Sequence, residues 1–260
     1  MNVLILGDIF GRPGRRIVAE YLPELREEFE PDLIIANGEN AAGGFGLTRK
    51  IATQLFEMGI DVLTSGNHIW DQKEMYDYIG EEPRILRPAN YPPDVPGASV
   101  YIHGTAKGFI AVVNLIGRVF TGDYDCPFRE ADRILANLPS EVTHVIVDFH
   151  GEATSEKIAL GWYLDGRVSA VVGTHTHVPT ADERILPNGT AYLTDLGMCG
   201  PTDGILGVER TVVINKFLTQ LPARFSVAKG PAQLNGAVVK LAPNGKAVDI
   251  FRVKRDKNVT

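Results

Sequence analysis

The sequence predicts an α/β fold in which two packed sheets are flanked by helices. Three observations carry this expectation. Short apolar runs alternate with amphipathic stretches through the first half, the pattern of β-α-β units in a parallel sheet with right-handed crossovers. Towards the C-terminus the pattern changes to short strand-like runs separated by Gly, Pro and Asn turns, as in hairpins. The polar residues able to do chemistry fall just after the apolar runs, where parallel strands end and ligands bind. The chain shows no internal repeat and no long linker, so residues 1–260 are expected to form a single domain.

The elements follow in order. Val3, Leu4, Ile5 and Leu6 are an all-apolar run, as in a buried parallel strand. Pro13 suits a first helical turn, and Ile17, Val18, Tyr21, Leu22 and Leu25 recur behind it at helical spacing. Leu33 to Ala36 is a second strand. Thr48 can cap a helix carrying Ile51, Leu55 and Met58, which Gly59 can end. Val62 and Leu63 give a third strand, and Met75 to Ile79 a short helix. Phe109 to Leu115 and His144 to Phe149 read as buried strands with a helix near Arg129 to Ala136 between them. A helix is expected over Ser155 to Tyr163 and a strand over Val168 to Val172. Tyr192-Leu193, Arg224 to Val227, Ala237 to Leu241 and Ala247 to Val253 read as short strands, and Asp256 to Thr260 as a loose tail.

Composition narrows the class. The 260 residues carry 26 Lys and Arg against 32 Asp and Glu, a net charge of −6. That balance argues against a general nucleic-acid coat. RNA as a partner therefore has no support from charge, whereas a small phosphorylated ligand is compatible. Cys126 and Cys199 stand far apart, which suits a reducing cytoplasm better than a disulfide framework. No run approaches the roughly 18 apolar residues of a membrane span. The N-terminus opens on strand-like sequence with no signal-peptide pattern. A cytoplasmic protein is the expectation, with a homo-oligomer left open.

Five polar clusters share one kind of place. Asp8 follows the first strand, Glu39 and Asn40 the second, Asn67 and His68 the third, His150 the strand ending at Phe149, and His175 and His177 the strand ending at Gly173. Carboxylate, amide and imidazole donors suit Mn, Fe, Zn or Co. The spacing of His175 and His177 places both rings on one face of an extended segment, or lets them reach two ions if the segment turns. Two ions roughly 3.5–4 Å apart can clamp the attacking and leaving oxygens of a phosphoryl displacement, and Glu39 is the central candidate to bridge them. Taken singly, Asp8 could cap a helix, Glu39-Asn40 could be a turn, and Asn40 could cap that turn. Five coincidences are less plausible than one site. His103 and His144 read as structural. The Gly7, Gly11 and Gly14 spacing is neither G-x-G-x-x-G nor a P-loop, and Arg12, Arg15 and Arg16 read as solvated or paired with acidic neighbours.

The ordered motifs Gly7-Asp8, Gly38-Glu39-Asn40, Gly66-Asn67-His68, His150 and Gly173-Thr174-His175-Thr176-His177 resemble the calcineurin-like metallophosphoesterase superfamily. Two departures stand out: Phe10 replaces the usual His of an Asp-x-His opening, and Glu39 replaces the usual bridging Asp. Together with Gly66-Asn67-His68-Ile69-Trp70-Asp71 they resemble its YmdB-like bacterial branch. The resemblance implies a four-layer αββα sandwich and a phosphodiesterase of cyclic nucleotides such as 2′,3′-cyclic AMP, using two divalent metal ions, iron or manganese. It implies one ion on Asp8, Glu39, Asn40 and His177 and another on Glu39, Asn67, His150 and His175. A hydroxide between them would attack, and His68 would give the leaving oxygen its proton. Asp71 could orient His68 or cap a helix. A phosphomonoesterase or protein phosphatase, or a regulatory binding protein that keeps the metals, are the competing readings.

Overall fold

The computed structural model describes residues 1–257. The elements in chain order are β1 (Asn2–Leu6), β2 (Asp8–Ile9), α1 (Gly11–Phe29), β3 (Leu33–Asn37), α2 (Arg49–Glu57), β4 (Val62–Thr64) and α3 (Met75–Tyr78). They continue with β5 (Val100–Thr105), β6 (Gly108–Ile116), α4 (Pro127–Asn137), β7 (Val142–His150), α5 (Thr154–Leu164) and β8 (Ala170–Thr174). The chain closes with β9 (Arg184–Ile185), β10 (Ala191–Leu193), β11 (Met198–Pro201), α6 (Arg210–Thr219), β12 (Ala232–Leu241) and β13 (Ala247–Lys257).

These strands form two mixed sheets. The first runs β2-β11-β12-β1-β3-β4, with β13 on the other side of β12. Within it β1, β3 and β4 are parallel, and β12 returns antiparallel to β1 and β13. The second runs β5-β6-β7-β8-β10-β9, with four parallel central strands and antiparallel edges. Both match the expected two-sheet α/β architecture.

The pleat sorts each strand between two cores, because successive side chains point to opposite faces. Val3, Ile5, Leu33 and Ile35 meet Ile110, Val112, Ile146 and Val172 between the sheets. Leu4, Leu6, Ile34 and Ala36 face the other way, onto Val18, Leu22 and Leu25 of α1 and Ala52 and Leu55 of α2. Val113, Val145, Val147 and Val171 pack outward on Ala131 and Ile134 of α4 and Leu160 and Leu164 of α5. The layers are therefore αββα. Each such side chain contributes about 1.5–3 kcal/mol by leaving water.

Local signals mostly hold. Thr48 Oγ1 accepts from Ile51 N at the start of α2, and Gly59 ends it at φ 100°. The short runs β2, β5, β9 and β11 and helix α6 carry too little pattern to have been read from sequence. Arg224–Val227 is not a strand: Val227 makes a single bridge to Val208, and its side chain packs on the small cluster around Phe10. Asp256 and Lys257, expected to open a loose tail, instead pair with Gln233 and Ala232; positions 258–260 lie outside the described residues. Among the described residues no helix is long and apolar enough to cross a membrane. Cys126 and Cys199 are both free.

Candidate metal centre

The C-terminal ends of β1, β3, β4, β7 and β8 deliver the expected residues to one place. Asp8, Glu39, Asn40 and His150 are buried there, each at most 2% exposed. Their contacts form two groups that meet at Glu39. On one side His150 Nε2 lies 3.0 Å from Glu39 Oε1, 3.1 Å from Asn67 Oδ1 and 2.9 Å from His175 Nδ1. On the other side Asn40 Nδ2 is 3.3 Å from both Glu39 Oε1 and His177 Nε2, and His177 Nε2 is 3.8 Å from Asp8 Oδ1.

This donor set fits metal ions on two observations. Ligand atoms of Glu39, His150 and His175 all lie within 4.8 Å of one another, three acceptor-capable atoms crowding one point. Asp8 Oδ1 is buried with no hydrogen-bond partner, while its Oδ2 accepts from His175 N at 3.2 Å. An unpaired buried carboxylate oxygen is costly unless a cation satisfies it. Asp8 does not cap α1: its N-cap is Phe10, with no side-chain cap bond.

Electrostatics agree. Burial raises the Asp8 carboxyl above its ordinary value, against the pull of His177 and His150. Burial would also raise Glu39, but the His150 charge and hydrogen bond overrule it and hold it at about 2. Burial would lower His150, yet the Glu39 carboxylate raises it to about 8. Burial, then the His150 charge, lowers His175 to about 3, so its ring is neutral with a lone pair to offer.

The loop after β8 turns rather than running extended. His175 and His177 take φ of 104° and 65°, which non-glycine residues reach only at a cost that surroundings must offset. The turn sends the rings apart, His175 to His150 and His177 to Asn40 and Asp8. A buried ion pair holds it: Lys157 Nζ is 2.6 Å from Asp195 Oδ2 and donates to Thr174 O at 2.8 Å. Asp195 in turn accepts from Thr176 N and Gly197 N. His177 Nδ1 bonds Leu206 O at 3.0 Å, which aims Nε2 into the site.

Sequence reasoning missed the groups that orient His150. Its Nδ1 is 3.0 Å from Thr174 Oγ1, which donates to Asp148 Oδ1 at 2.8 Å. Thr64 bonds the other Asp148 oxygen, and Asn37 Nδ2 approaches Nδ1 at 3.4 Å. Polar Asn37 and Asp148 inside apolar runs were the available signal. Gly66 matters sterically: a Cβ there would sit 2.1 Å from His150 Cδ2, so a side chain would push into the ring.

His68 stands beside this cluster. Its backbone N–H donates to Glu39 Oε2 at 3.0 Å, and its Nδ1 is 2.8 Å from Asp71 Oδ2. Asp71 thus orients His68 and caps no helix, since α3 starts from Glu74. Phe45 packs edge-on against the ring at 5.3 Å. Phe10 does not enter the donor set; it is 3% exposed, edge-on to His177 at 5.4 Å, among Met198, Val208 and Val213. Arg15 bonds Ala41 O, fixing the Glu39 turn from behind. His144 is buried between Thr143 and Ala242 O, a structural role.

Comparison with known proteins is consistent with this geometry. A 2′,3′-cyclic-nucleotide 2′-phosphodiesterase of Bacillus subtilis is 51% identical over 97% of this chain and 96% of its own. The crystal structure of a novel phosphatase from Mycoplasma pneumoniae superposes at TM-score 0.94 and 33% identity, over 99% of this chain and 94% of that one. A 5′-nucleotidase precursor of Thermus thermophilus superposes at TM-score 0.60 over 98% of this chain and 54% of that one; at 12% identity it shows the shared fold alone. The family described as YmdB-like protein matches residues 4–253, nearly the whole chain, and the chain belongs to that family.

Proposed function

We propose that the chain is a metal-dependent phosphodiesterase that opens 2′,3′-cyclic nucleotides, working as one domain in the cytoplasm. The single observation behind this reading is the buried double cluster meeting at Glu39, with His68 tied to the same carboxylate. Asp8, Glu39, Asn40 and His177 would hold one divalent ion, and Glu39, Asn67, His150 and His175 the other. Iron or manganese suits the mixed oxygen and nitrogen donors. Bound ions supply a hydroxide nucleophile near neutral pH and offset the charge that builds on the phosphoryl oxygens.

The protein's own groups supply the rest. Asp71 accepts from His68 Nδ1, which leaves Nε2 as the nitrogen that passes a proton. As the P–O2′ bond breaks, that proton goes to the 2′ oxygen and the product is a 3′-monophosphate. An imidazole held in one orientation by a carboxylate suits such transfer. The free thiols support a reducing compartment, and the ligand set draws on strands of both sheets, which supports a single working unit.

Turnover of 2′,3′-cyclic AMP and of the matching monophosphates, with chelation and re-addition of Mn or Fe, tests the reading. Chelation should abolish activity, the metal should restore it, and the cyclic diester should be preferred. His68→Ala should keep about two ions and lose roughly 10²–10⁴-fold in kcat, less with a nitrophenolate leaving group. A preference for monophosphates would favour the phosphatase reading, which the name of the Mycoplasma pneumoniae relative supports.

A further inference from the structure

An aromatic cleft beside the site is used by nothing described so far. Trp70, Tyr76, Tyr91 and Tyr124, with Val95, line a space of about 500 Å³. The rings are arranged around one another: Trp70 to Tyr91 at 6.2 Å and 86°, Trp70 to Tyr76 at 5.7 Å, and Tyr91 to Tyr124 at 4.9 Å. Tyr76 is 53% exposed, so the cleft opens to solvent. Aromatic side chains are ordinarily spent in a core; here they line an open surface.

The cleft is anchored to the metal centre from two sides. Trp70 lies two residues beyond His68 in one short loop. Tyr91 follows Asn90, whose amide donates to Ile116 O and accepts from Ile116 N. Ile116 is the strand neighbour of His150. Tyr124 comes from the loop that leaves the end of β6, and Asp125 N is held by Asn90 O. One wall thus comes from the loop of His68 and the other from loops tied, through Asn90, to Ile116 beside His150.

We propose that Trp70, Tyr91 and Tyr124 form the nucleobase subsite of this phosphodiesterase. The inference rests on the cyclic-nucleotide reading above. In a 2′,3′-cyclic nucleotide the base and the reacting phosphate project from one ribose, so a base subsite has to open near the phosphate site, and this cleft carries Trp70 from the same short loop as His68. Stacking on aromatic faces accepts any base, because every base has a π-face. The cleft therefore selects nucleotides over simple diesters, with weak choice among bases.

The test uses the metal-loaded enzyme and two substrates with the same reacting diester: 2′,3′-cyclic AMP and the 2′,3′-cyclic phosphate of methyl riboside, which has no base. Trp70→Ala and Tyr124→Ala should each raise KM for cyclic AMP by roughly 5- to 150-fold, the fold-change of one lost stacking partner. The kcat and the kinetics of the base-free substrate should hold within about 3-fold. Equal losses on both substrates, or an unchanged ratio, would overturn the subsite. Adenosine, which lacks phosphate, gives an independent readout in Trp162→Phe protein, where Trp70 is the remaining tryptophan. Saturable quenching of its fluorescence is expected, and none would overturn the proposal. If the enzyme turns over neither cyclic phosphate yet adenosine still quenches Trp70, the phosphodiesterase reading fails and the base subsite survives.

Discussion

The two halves of the metal centre are built differently. The His150 half is fixed from within: a chain of hydroxyl and carboxylate groups runs from His150 through Thr174 to Asp148 and Thr64, on β7 and β8 of one sheet and β4 of the other. The Asp8 half is fixed from outside. His177 is aimed by the Leu206 carbonyl and the Phe10 ring, both outside the parallel strands, and Asp8 keeps an unpaired oxygen. One half is a preassembled network on rigid elements. The other relies on a strained loop and leaves one buried acceptor, Asp8 Oδ1, without a hydrogen-bond partner.

Breaking the shared residue should erase the difference. Glu39→Ala removes the carboxylate whose Oε1 lies beside side-chain atoms of both groups, so both ions should leave and turnover should fall below detection. Metal analysis with a turnover assay checks this; a variant that keeps one tightly bound ion would separate the halves and refute the bridge.

The next variant should act on one half. Asp148→Asn keeps shape but replaces one acceptor that orders Thr174 and His150. Its affinity for the His150 ion should fall about 10–100-fold, as for other partners behind a ligand, while the Asp8 ion stays. Conversely, Asn40→Ala should weaken the Asp8 ion by about 10-fold and spare the His150 ion. Calorimetric titration of both variants distinguishes them, and equal losses at the two sites would mean the halves are one coupled unit. Phe10→His, which restores the superfamily's usual residue, should only partly rescue Asn40→Ala, because the Phe10 ring packs on His177 within an apolar cluster.

Within one pH unit of 8, a smaller effect separates the halves. In metal-free protein the Glu39 carboxylate raises His150 to about 8, so below that pH its Nε2 carries a proton. A cation has to displace that proton. Affinity at the His150 half should therefore fall about tenfold per pH unit below 8 and level off above it, with proton release on binding. His175, lowered to about 3, adds no such dependence. A flat affinity between pH 6 and 9 would show that His150 is not a ligand.

The donor set was legible because each residue sits within four positions past a strand-like run, and strand ends are where an open sheet gathers ligands. The same logic placed the buried strands, whose signal is local. The edge strands β5 and β9 and the two-residue β2 were invisible, since their pairing comes from neighbours and not from their own pattern. Arg224–Val227 misled for the converse reason: its composition suits a strand, but Val227 is drawn onto Phe10 and finds only Val208 to pair with.

The sequence by itself determined the fold class, two packed sheets flanked by helices, and which candidate site residues stand at strand ends, because periodicity and strand-end position are properties of neighbouring residues. Tertiary structure alone decided how those residues are used. That His175 and His177 diverge depends on a turn held by Lys157 and Asp195. That Asp71 orients His68 while Phe10 only packs depends on where their side chains point. That Asp148 stands behind His150 depends on the register of β7 and β8. Hydrogen-bond reach is a matter of a few tenths of an ångström between residues far apart in the chain, and only the packed structure sets it.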